Sequence, residues 1–394
     1  MAIDTDPKKI DDILSRGVED IIVKDSFRAK LAAGKELRVK LGMDPTSPNI
    51  HLGRAITLRK LRAFQNLGHK IIFLVGDFTA LIGDPSDKLS KRPMLSKDEV
   101  EKNMLTYKDQ LGKILDLDRV EFVHNSDWLG KLGFAEISQL AEAFTVQQML
   151  ARRNFKDRYD KGEEISVREF LYPLLQGYDS VELKADIEIG GFDQLFNLKA
   201  GRVIQKYYSQ PEQDILTTQM LEGTDGRKMS SSWGNVITLN DVPNEMYGKI
   251  MAMKDELIEK YYLLCTDRSI SEIDAIKKEL EAGANPRDIK MRLAKEIVIM
   301  YHGLEAAAKA EEYFVTAFQK KETPENIDEI KIEAGVKLID VLVEKGIVKS
   351  KSDFRRLVDE GAVTLDGEKI SDQNALVAAG VLKVGKKRFV RIII

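Results

Sequence analysis

Two polar segments carry the side chains that nucleotide chemistry needs, and the first lies at residues 44–54. It contains Thr46, His51 and Gly53 directly before a predicted helix. The free backbone N–H groups and the dipole at a helix N-terminus favour anions. Thr46 and His51 can donate hydrogen bonds to phosphate oxygens, and a glycine lets a phosphate or a flat adenine ring approach the backbone. The segment therefore predicts a nucleotide-binding loop.

The second polar segment is the serine-rich loop at residues 225–232. It contains a glycine and two adjacent cations, Arg227 and Lys228, followed by Met229 and three serines. Such a loop can fold over a polyphosphate and stabilise the charge that develops during reaction. Each of the two segments is weak evidence by itself, because a serine run after a lysine is usually only a surface loop.

A third set of side chains, Tyr172, Gln176 and Asp179, is spaced i, i+4 and i+7. This spacing places a phenol, an amide and a carboxylate on one face of a helix. The neighbouring glycines Gly190 and Gly191 permit a ligand to approach the backbone closely. The pattern predicts a polar recognition face directed into one crevice, and the alternative is an ordinary amphipathic helix.

These side chains need a scaffold, and the apolar pattern predicts one of the α/β class. Strands are predicted at 37–43, 70–76 and 120–123, with a helix at 52–67. The continuous apolar run at 70–76 is typical of a strand buried on both faces of a parallel sheet. Strand, helix and strand in succession form a βαβ unit. We therefore expect a Rossmann-like doubly wound parallel sheet with its ligand crevice at the carboxyl ends of the strands.

Further domains are predicted on either side of a charged linker at 320–334. Residues 1–36 have the composition of a polar helical lead-in, and Asn285 followed by Pro286 begins a helix that Gly303 ends. Short helices and two hairpins, at 362–370 and 381–394, are predicted near the end of the chain. The predicted divisions are an α/β catalytic domain at 1–222, a loop and linker at 223–243, an α-helical domain at 244–322 and a small α+β domain at 335–394.

Composition excludes several classes of function. The 394 residues carry a formal net charge of −3, so any contact with nucleic acid must come from local basic patches. A single cysteine, Cys265, allows no internal disulfide and no cysteine cluster for zinc, and its apolar neighbours predict a core position. We find no secretory signal and no apolar run of about 20 residues that could span a membrane. A cytoplasmic location is expected.

Basic side chains are concentrated in the last domain. They are Lys349, Lys351, Arg355, Arg356, Lys383, Lys386, Lys387, Arg388 and Arg391. A solvated face is the common explanation of such a cluster. Its density, and its place on a compact domain after a linker, favour RNA binding.

In combination and in this order, the two loops resemble a known pair of motifs. His-Leu-Gly-Arg at 51–54 and Lys-Met-Ser-Ser-Ser at 228–232 resemble the HIGH and KMSKS signatures of class I aminoacyl-tRNA synthetases. Their separation suits the small members, those for tyrosine and tryptophan. Two positions depart from the signatures: Arg54 replaces the second histidine, and Ser231 replaces the second lysine. The resemblance implies activation of an amino acid by ATP.

The resemblance to bacterial tyrosyl-tRNA synthetases extends over nearly the whole chain. Residues 76–88 and 172–179 are similar to that family's segments around the substrate. The resemblance implies that Asp84 holds the substrate ammonium together with Tyr172 and Gln176, and that Asp179 accepts a hydrogen bond from the substrate phenol. Lys40 stands where many relatives have a tyrosine that contacts this phenol, and one branch of the family has lysine there.

The resemblance assigns roles to four sets of residues. The catalytic set is Thr46, His51, Lys88, Arg92, Lys228 and Ser231. The tyrosine-binding set is Lys40, Thr79, Asp84, Tyr172, Gln176, Asp179 and Gln194. The ATP-binding set is Asp44, His51, Gly53, Arg54, Thr57, Gly190, Gly191, Asp193, Lys228 and Met229. The tRNA-binding set is Lys349, Lys351, Arg355, Arg356, Lys387 and Arg388.

The implied function is that of a tyrosine–tRNA ligase with L-tyrosine, ATP and tRNA(Tyr) as partners. Mg²⁺ is expected to arrive with ATP, and no protein-bound metal is expected. The last domain resembles the RNA-binding module named after ribosomal protein S-four. The family is homodimeric, and residues 128–155 are expected to supply the interface. The alternatives are a tryptophan-activating enzyme, an RNA-binding protein on an inactive synthetase scaffold, and a nucleotidyltransferase for a small acid.

Overall fold

The computed structural model describes residues 2–86, 95–320, 327–332, 335–348, 350–385 and 388–394. The chain forms two compact units, one of Met1–Asp241 with Lys249–Leu293 and the other of Val242–Gly248 with Ala294–Ile394. Within the described ranges, no helix is both long enough and apolar enough to cross a membrane. The divisions predicted from the sequence differ from these two units and stay a prediction.

A six-stranded sheet forms the centre of the first unit. The strands are β1 (Val18–Ile22), β2 (Arg38–Met43), β3 (Lys70–Val75), β4 (Val120–His124), β5 (Ile187–Gly191) and β6 (Asp214–Thr218). Their order is β1-β6-β5-β2-β3-β4, and all neighbours are parallel except β1, which pairs antiparallel with β6. The predicted parallel α/β sheet is thus confirmed.

The helical lead-in predicted at residues 1–36 is wrong in its middle. β1 lies there, between two short helices, and covers the edge of β6. Its sequence, Val-Glu-Asp-Ile-Ile, has too few residues for its alternation to be distinguished from a helical pattern. Residues 18–22 form a strand because the edge of β6 offers unpaired backbone groups to bond with. The local sequence does not show that such an edge exists.

Helices precede, connect and follow the strands of this sheet. They are α1 (Pro7–Ser15), α2 (Lys24–Ala32), α3 (Leu52–Asn66), α4 (Asp77–Ile82), α5 (Lys97–Met104), α6 (Tyr107–Gly112), α7 (Ser126–Leu129), α8 (Phe134–Glu142), α9 (Val146–Leu150), α10 (Arg153–Asp160), α11 (Val167–Glu182), α12 (Leu195–Tyr207), α13 (Pro243–Ala252, shared with the second unit), α14 (Ile258–Cys265), α15 (Ile270–Glu281) and α16 (Pro286–His302, also shared). Cys265 is buried as predicted, and burial raises the pKa of its thiol to about 12.

The strand order creates a switch point between β2 and β5. From β2 the chain builds outward through β3 and β4, and from β5 it builds in the opposite direction to β6. Loops that leave the carboxyl ends of two such strands diverge, so a crevice opens between them. The nucleotide loop at 44–54 follows β2, and Gly190 and Gly191 end β5.

The second unit contains a five-stranded sheet of order β7-β11-β10-β8-β9. Its elements are α17 (Leu304–Phe314), β7 (Asp328–Lys331), α18 (Leu338–Glu344), α19 (Lys351–Asp359), β8 (Val363–Leu365), β9 (Glu368–Lys369), β10 (Gly380–Val384) and β11 (Arg388–Ile393). Leu342, Phe354, Val363 and Leu382 are fully buried and join both helices to the sheet. Both predicted hairpins and both short helices are confirmed.

The charged segment at 320–334 is more than the predicted linker. Its residues 328–331 form β7, which pairs parallel with β11. The charged side chains conceal this strand, because only Ile330 and Ile332 alternate with them. An edge strand tolerates such a composition, since one side of it faces water.

Candidate active site

A crevice of about 530 Å³ opens at the carboxyl ends of β2, β3 and β5. Residues predicted for tyrosine, for ATP and for catalysis line it together. They are Lys40, Asp44, Thr46, His51, Gly53, Arg54, Thr57, Thr79, Asp84, Tyr172, Gln176, Asp179, Gly190, Gly191, Asp193, Gln194, Lys228, Met229 and Ser231. Lys88 and Arg92, predicted for pyrophosphate, lie outside the described residues.

Asp179 lies at the deep end of the crevice and is 1 % exposed. Trp128 Nε1 donates to its Oδ1 at 2.8 Å, and Asn125 Nδ2 donates to its Oδ2 at 3.3 Å. Burial raises the pKa of Asp179 to about 7, the nearby Lys40 ammonium opposes this rise, and Glu188 adds to it. A carboxylate held in this way is an acceptor of fixed position for one more donor.

Lys40 and Glu188 form a buried ion pair beside Asp179. Lys40 Nζ lies 2.9 Å from Glu188 Oε1, and the two side chains are 0 % and 1 % exposed. Lys40 was predicted to belong to the tyrosine-binding set, but its ammonium donates to Glu188, to Ser180 Oγ and to the Gln176 carbonyl. The crevice therefore carries a charged network behind its recognition face.

Asp84 lies in a cluster of amide and hydroxyl donors. Its Oδ2 accepts from Gln194 Nε2 at 2.7 Å and from Ser86 Oγ, and its Oδ1 accepts from Asn197 Nδ2 at 3.3 Å. These donors fix the position of the carboxylate, and the buried guanidinium of Arg152 interacts with it electrostatically. An ammonium group of a ligand is the partner that such a site favours.

Asp44 connects the end of β2 to α4 and α11. Its Oδ1 accepts from Thr79 Oγ1 and its Oδ2 from the Tyr172 hydroxyl, each at 2.8 Å. A Cβ atom on Gly76 would lie 2.0 Å from Asp44 Oδ1, so glycine at position 76 makes this junction possible. Asp44 was predicted for ATP and Tyr172 for the substrate ammonium, and the structure brings the two side chains into direct contact.

His51 is the N-cap residue of α3 and is almost completely buried. Its Nδ1 accepts from Arg54 N at 3.3 Å, and burial together with Arg54 and Lys228 lowers the pKa of its imidazole to about 3. The ring is therefore neutral near pH 7 and carries its proton on Nε2. A neutral N–H donor at a helix N-terminus suits a phosphate oxygen.

Arg54, which replaces the second histidine of the HIGH signature, points back along its own loop. Its guanidinium donates to Thr46 Oγ1 at 2.9 Å and to the Asp44 carbonyl at 3.4 Å. The arginine thus supports Thr46 and adds positive charge to the crevice. Gly53 lies against His51 and Met229, and a Cβ atom there would meet His51 Nδ1 at 3.1 Å.

The serine-rich loop closes the other side of the crevice. Lys228 Nζ lies 2.7 Å from Asp193 Oδ2, and Met229 Sδ accepts a contact from Gly53 N at 3.4 Å. Asn235 fixes the loop, because its side chain accepts from Ser230 N and donates to Asp225 and to the Lys228 carbonyl. The pairing of Lys228 with Asp193 joins two residues that were predicted to bind ATP.

The basic residues of the second unit fall into two groups. Lys351, Arg355 and Arg356 are exposed. Lys351 forms an ion pair with Asp340, and Arg356 forms ion pairs with Asp353 and Glu360. Arg388 is half-buried and donates to Glu245 at 2.9 Å and to the carbonyls of Gly346 and Ile347. Lys349 and Lys387 lie outside the described residues.

Several residues of the site were not predicted from the sequence. They are Gly76, Asn125, Trp128, Asn197 and Asn235. Asn125 directly follows β4, so the rule that sites lie at the carboxyl ends of parallel strands offers a signal for it. For Trp128 the sequence gives no such signal, and the residue was assigned only to the expected dimer interface. In the described part of the chain, no group of three His, Cys, Asp or Glu side chains could hold a metal ion.

Comparison with known proteins identifies families for both parts of the chain. Residues 32–319 match the family of class I tRNA synthetases (W and Y), and residues 319–392 match the tyrosine–tRNA ligase SYY-like C-terminal domain. The tyrosine–tRNA ligase of Thermotoga maritima is 48 % identical over 385 residues, which is 96 % of each chain. Tyrosine–tRNA ligase 2 of Vibrio cholerae is 47 % identical over 97 % of each chain.

Solved structures resemble the chain in fold. A C-terminally truncated mitochondrial tyrosyl-tRNA synthetase of Aspergillus nidulans has a TM-score of 0.66 at 24 % identity, over 79 % of this chain and 94 % of its own. The tyrosyl-tRNA synthetase of Archaeoglobus fulgidus, solved with L-tyrosine, has a TM-score of 0.61 at 24 % identity, over 77 % of this chain and 99 % of its own.

Proposed function

We propose that this chain, which belongs to the family of class I tRNA synthetases for tryptophan and tyrosine, activates tyrosine in the crevice of its α/β unit. It is a tyrosine–tRNA ligase, with tyrosine, ATP and tRNA as substrates. The observation that supports the proposal most directly is Asp179, a buried carboxylate that lines the crevice and accepts from two fixed donors.

Tyrosine binds with its phenol at Asp179 and its ammonium at Asp84, Tyr172 and Gln176, while Thr79 and Gln194 line the pocket between them. Phenylalanine lacks the hydroxyl and would leave the buried carboxylate without its last partner. Tyrosine enzymes of this class are themselves the known example of such discrimination, at about 10⁵-fold against phenylalanine.

ATP binds between the loop at 44–54 and the serine-rich loop. Gly53, Gly190 and Gly191 allow the nucleotide to approach the backbone, and Asp193 accepts hydrogen bonds from the ribose hydroxyls. Lys228 leaves Asp193 when the ribose takes its place, and the ammonium then faces the phosphates. Met229, Thr57, Asp44 and Arg54 complete this part of the site.

The tyrosine carboxylate attacks the α-phosphorus of ATP, and the bond to the bridging oxygen of pyrophosphate breaks. The attacking group is already ionised, so no protein base is needed and rate comes from positioning and charge stabilisation. We assign that stabilisation to Thr46, His51, Lys228, Ser231, Lys88 and Arg92. Mg²⁺ enters as part of the ATP complex. The product is tyrosyl-adenylate. A terminal ribose hydroxyl of tRNA then attacks its tyrosyl carbonyl, the bond to AMP breaks, and the hydroxyl proton is released with AMP.

The second unit carries the tRNA contacts in this proposal. We assign contacts with the tRNA phosphates of the anticodon side to Lys351, Arg355 and Arg356 of α19 and to Lys349, Lys387 and Arg388. The protein acts as a homodimer through residues 128–155, where Phe134 and Val146 are exposed apolar side chains. The cytoplasm, which supplies ATP and tRNA, is its place of action.

Amino-acid-dependent exchange of pyrophosphate into ATP tests the proposal. Tyrosine should support exchange, and tryptophan and phenylalanine should not at the same concentration. Exchange with tryptophan in place of tyrosine would assign the crevice to the other branch of the family. RNA binding without exchange under any amino acid would contradict the proposal altogether.

A further inference from the structure

The buried pair Lys40–Glu188 lies on neighbouring strands at the switch point. Lys40 of β2 and Glu188 of β5 are Cα partners in the parallel register, and both side chains are almost fully buried. Burial of two charges costs more desolvation energy than a well-packed apolar pair would, so such a pair is weak evidence for stability. Its position behind the recognition face of α11 indicates a different purpose.

Lys40 holds α11 by hydrogen bonds on either side of Asp179. Its ammonium donates to Ser180 Oγ at 2.8 Å and to the Gln176 carbonyl at 3.3 Å, in addition to Glu188 at 2.9 Å. These three acceptors match the three N–H groups of a lysine ammonium. The geometry thus points to an action through the helix and through charge, not through direct contact with a substrate.

Glu188 fixes the amide of Gln176. Its Oε1 accepts from Gln176 Nε2 at 3.2 Å, and its Oε2 accepts from Ser180 Oγ at 3.1 Å and from Gln213 Nε2. Because the NH₂ group of Gln176 is directed at Glu188, the amide oxygen is the atom left to accept from a substrate ammonium. An acidic residue at position 188 therefore determines which end of the Gln176 amide serves the crevice.

The same two side chains also influence the charge state of Asp179, after burial. The charged groups that act on its carboxyl are Lys40 of β2 and Glu188 of β5, while the region after β4 contributes the neutral donors Asn125 and Trp128. Burial favours the protonated acid, Lys40 favours the carboxylate, and Glu188 favours the acid. The balance matters because a carboxylate is a stronger acceptor for a phenol than a neutral acid.

We propose that Lys40 and Glu188 are a positioning and specificity pair, in which Lys40 maintains Asp179 as the carboxylate that recognises the substrate hydroxyl and Glu188 orients Gln176 toward the substrate ammonium. This inference rests on the proposed function and adds to it two residues that act through others. It moves Lys40 from the substrate-contact set to the residues that support that set.

The test measures kcat/KM for tyrosine against pH in pyrophosphate exchange, since this quantity reports groups of the free enzyme. Wild type is compared with Lys40→Met, Glu188→Gln and the double variant, each checked for folding by thermal denaturation. Removing the lysine charge should move the midpoint of the acid limb of the kcat/KM profile for tyrosine to higher pH, by about one pH unit or more. Removing the glutamate charge should move this midpoint to lower pH. The double variant should lie between them, and KM for ATP should stay within about twofold of wild type because the ATP loops are untouched.

Shifts of opposite sign are the signature of the electrostatic role, since a purely structural role would weaken both variants without moving either midpoint. Equal midpoints in wild type and Glu188→Gln would overturn the inference, even if Lys40→Met does not fold. Failure of the proposed function is distinct, because it would appear as absence of tyrosine-dependent exchange in wild type.

Discussion

At the scale of single residues, burial has opposite consequences for the two ends of the crevice. It lowers the pKa of His51 to about 3, so the imidazole is a neutral donor, and it raises the pKa of Asp179 to about 7, so the carboxylate is retained only with help from its neighbours. In both residues the surroundings move the pKa away from the ordinary value of the side chain and so set its charge state.

His51 provides the first prediction. His51→Ala removes the Nε2 donor and should lower kcat of tyrosine activation by about 10²–10³-fold, as is typical for one donor to developing charge. KM for tyrosine should change little, because the substrate lies at the other end. His51→Gln keeps an N–H donor and should recover part of the rate. Equal rates in wild type and His51→Ala would contradict a role at the phosphates.

Asp179 predicts a dependence of stability on pH. Its pKa is 3.8 in an unfolded chain and about 7 in the fold, so the folded protein binds the proton more tightly. Its contribution to stability is therefore present at low pH and is lost as pH rises through about 7. In Asp179→Asn the side chain does not titrate, so this loss of stability with rising pH is absent.

The Tm of Asp179→Asn relative to wild type should thus increase between about pH 5 and pH 8. Asp118→Asn, at an exposed position, is the matched control for a carboxylate-to-amide change. A difference in Tm that stays constant across this pH range would show that burial does not control the Asp179 carboxyl.

At the scale of elements, the helix face and the strand ends could be predicted from the sequence. The residues that bond to this face from other elements could not. Tyr172, Gln176 and Asp179 share a face of α11 because 3.6-residue periodicity fixes it locally. Asn125 and Trp128 contact Asp179 only in the folded protein, where β4 pairs with β3 and α7 follows β4. The strand β1 and the strand β7 were missed for the same reason, since each exists through a partner distant in sequence.

The junction of β3 and α4 supplies a third prediction. Gly76→Ala would place a methyl group 2.0 Å from Asp44 Oδ1 and 2.5 Å from Thr79 Oγ1, so these side chains must move. We expect a lower Tm and a higher KM for tyrosine. Gly248→Ala is the control, because a methyl group there meets nothing within 4 Å inside α13 and should stabilise the helix by about 0.5–1 kcal/mol. Equal effects of the two substitutions would contradict the packing argument.

At the scale of the whole molecule, activation and RNA binding are assigned to different units. The crevice lies entirely within the first unit, and the basic helix α19 belongs to the second. The composition could not show this division, because the net charge of −3 conceals a local cluster of cations. Substitutions in α19 should therefore affect the tRNA step alone.

Lys351→Ala combined with Arg355→Ala tests this separation. The variant should keep wild-type pyrophosphate exchange and bind tRNA more weakly, with the slope of log affinity against log salt reduced by about one to two. Arg388→Ala should in addition lower the Tm, because its guanidinium bonds to Glu245 and to two carbonyls within its own unit. Loss of exchange in the α19 variant would argue against the separation.

The preference for tyrosine over phenylalanine, measured as the ratio of kcat/KM values in wild type and in Asp179→Asn, tests the central claim most directly. The amide keeps the shape of the side chain and removes the charge that accepts the substrate hydroxyl. We expect the preference, about 10⁵-fold in enzymes of this kind, to fall by about 100-fold or more. An unchanged preference would contradict recognition of the hydroxyl by Asp179.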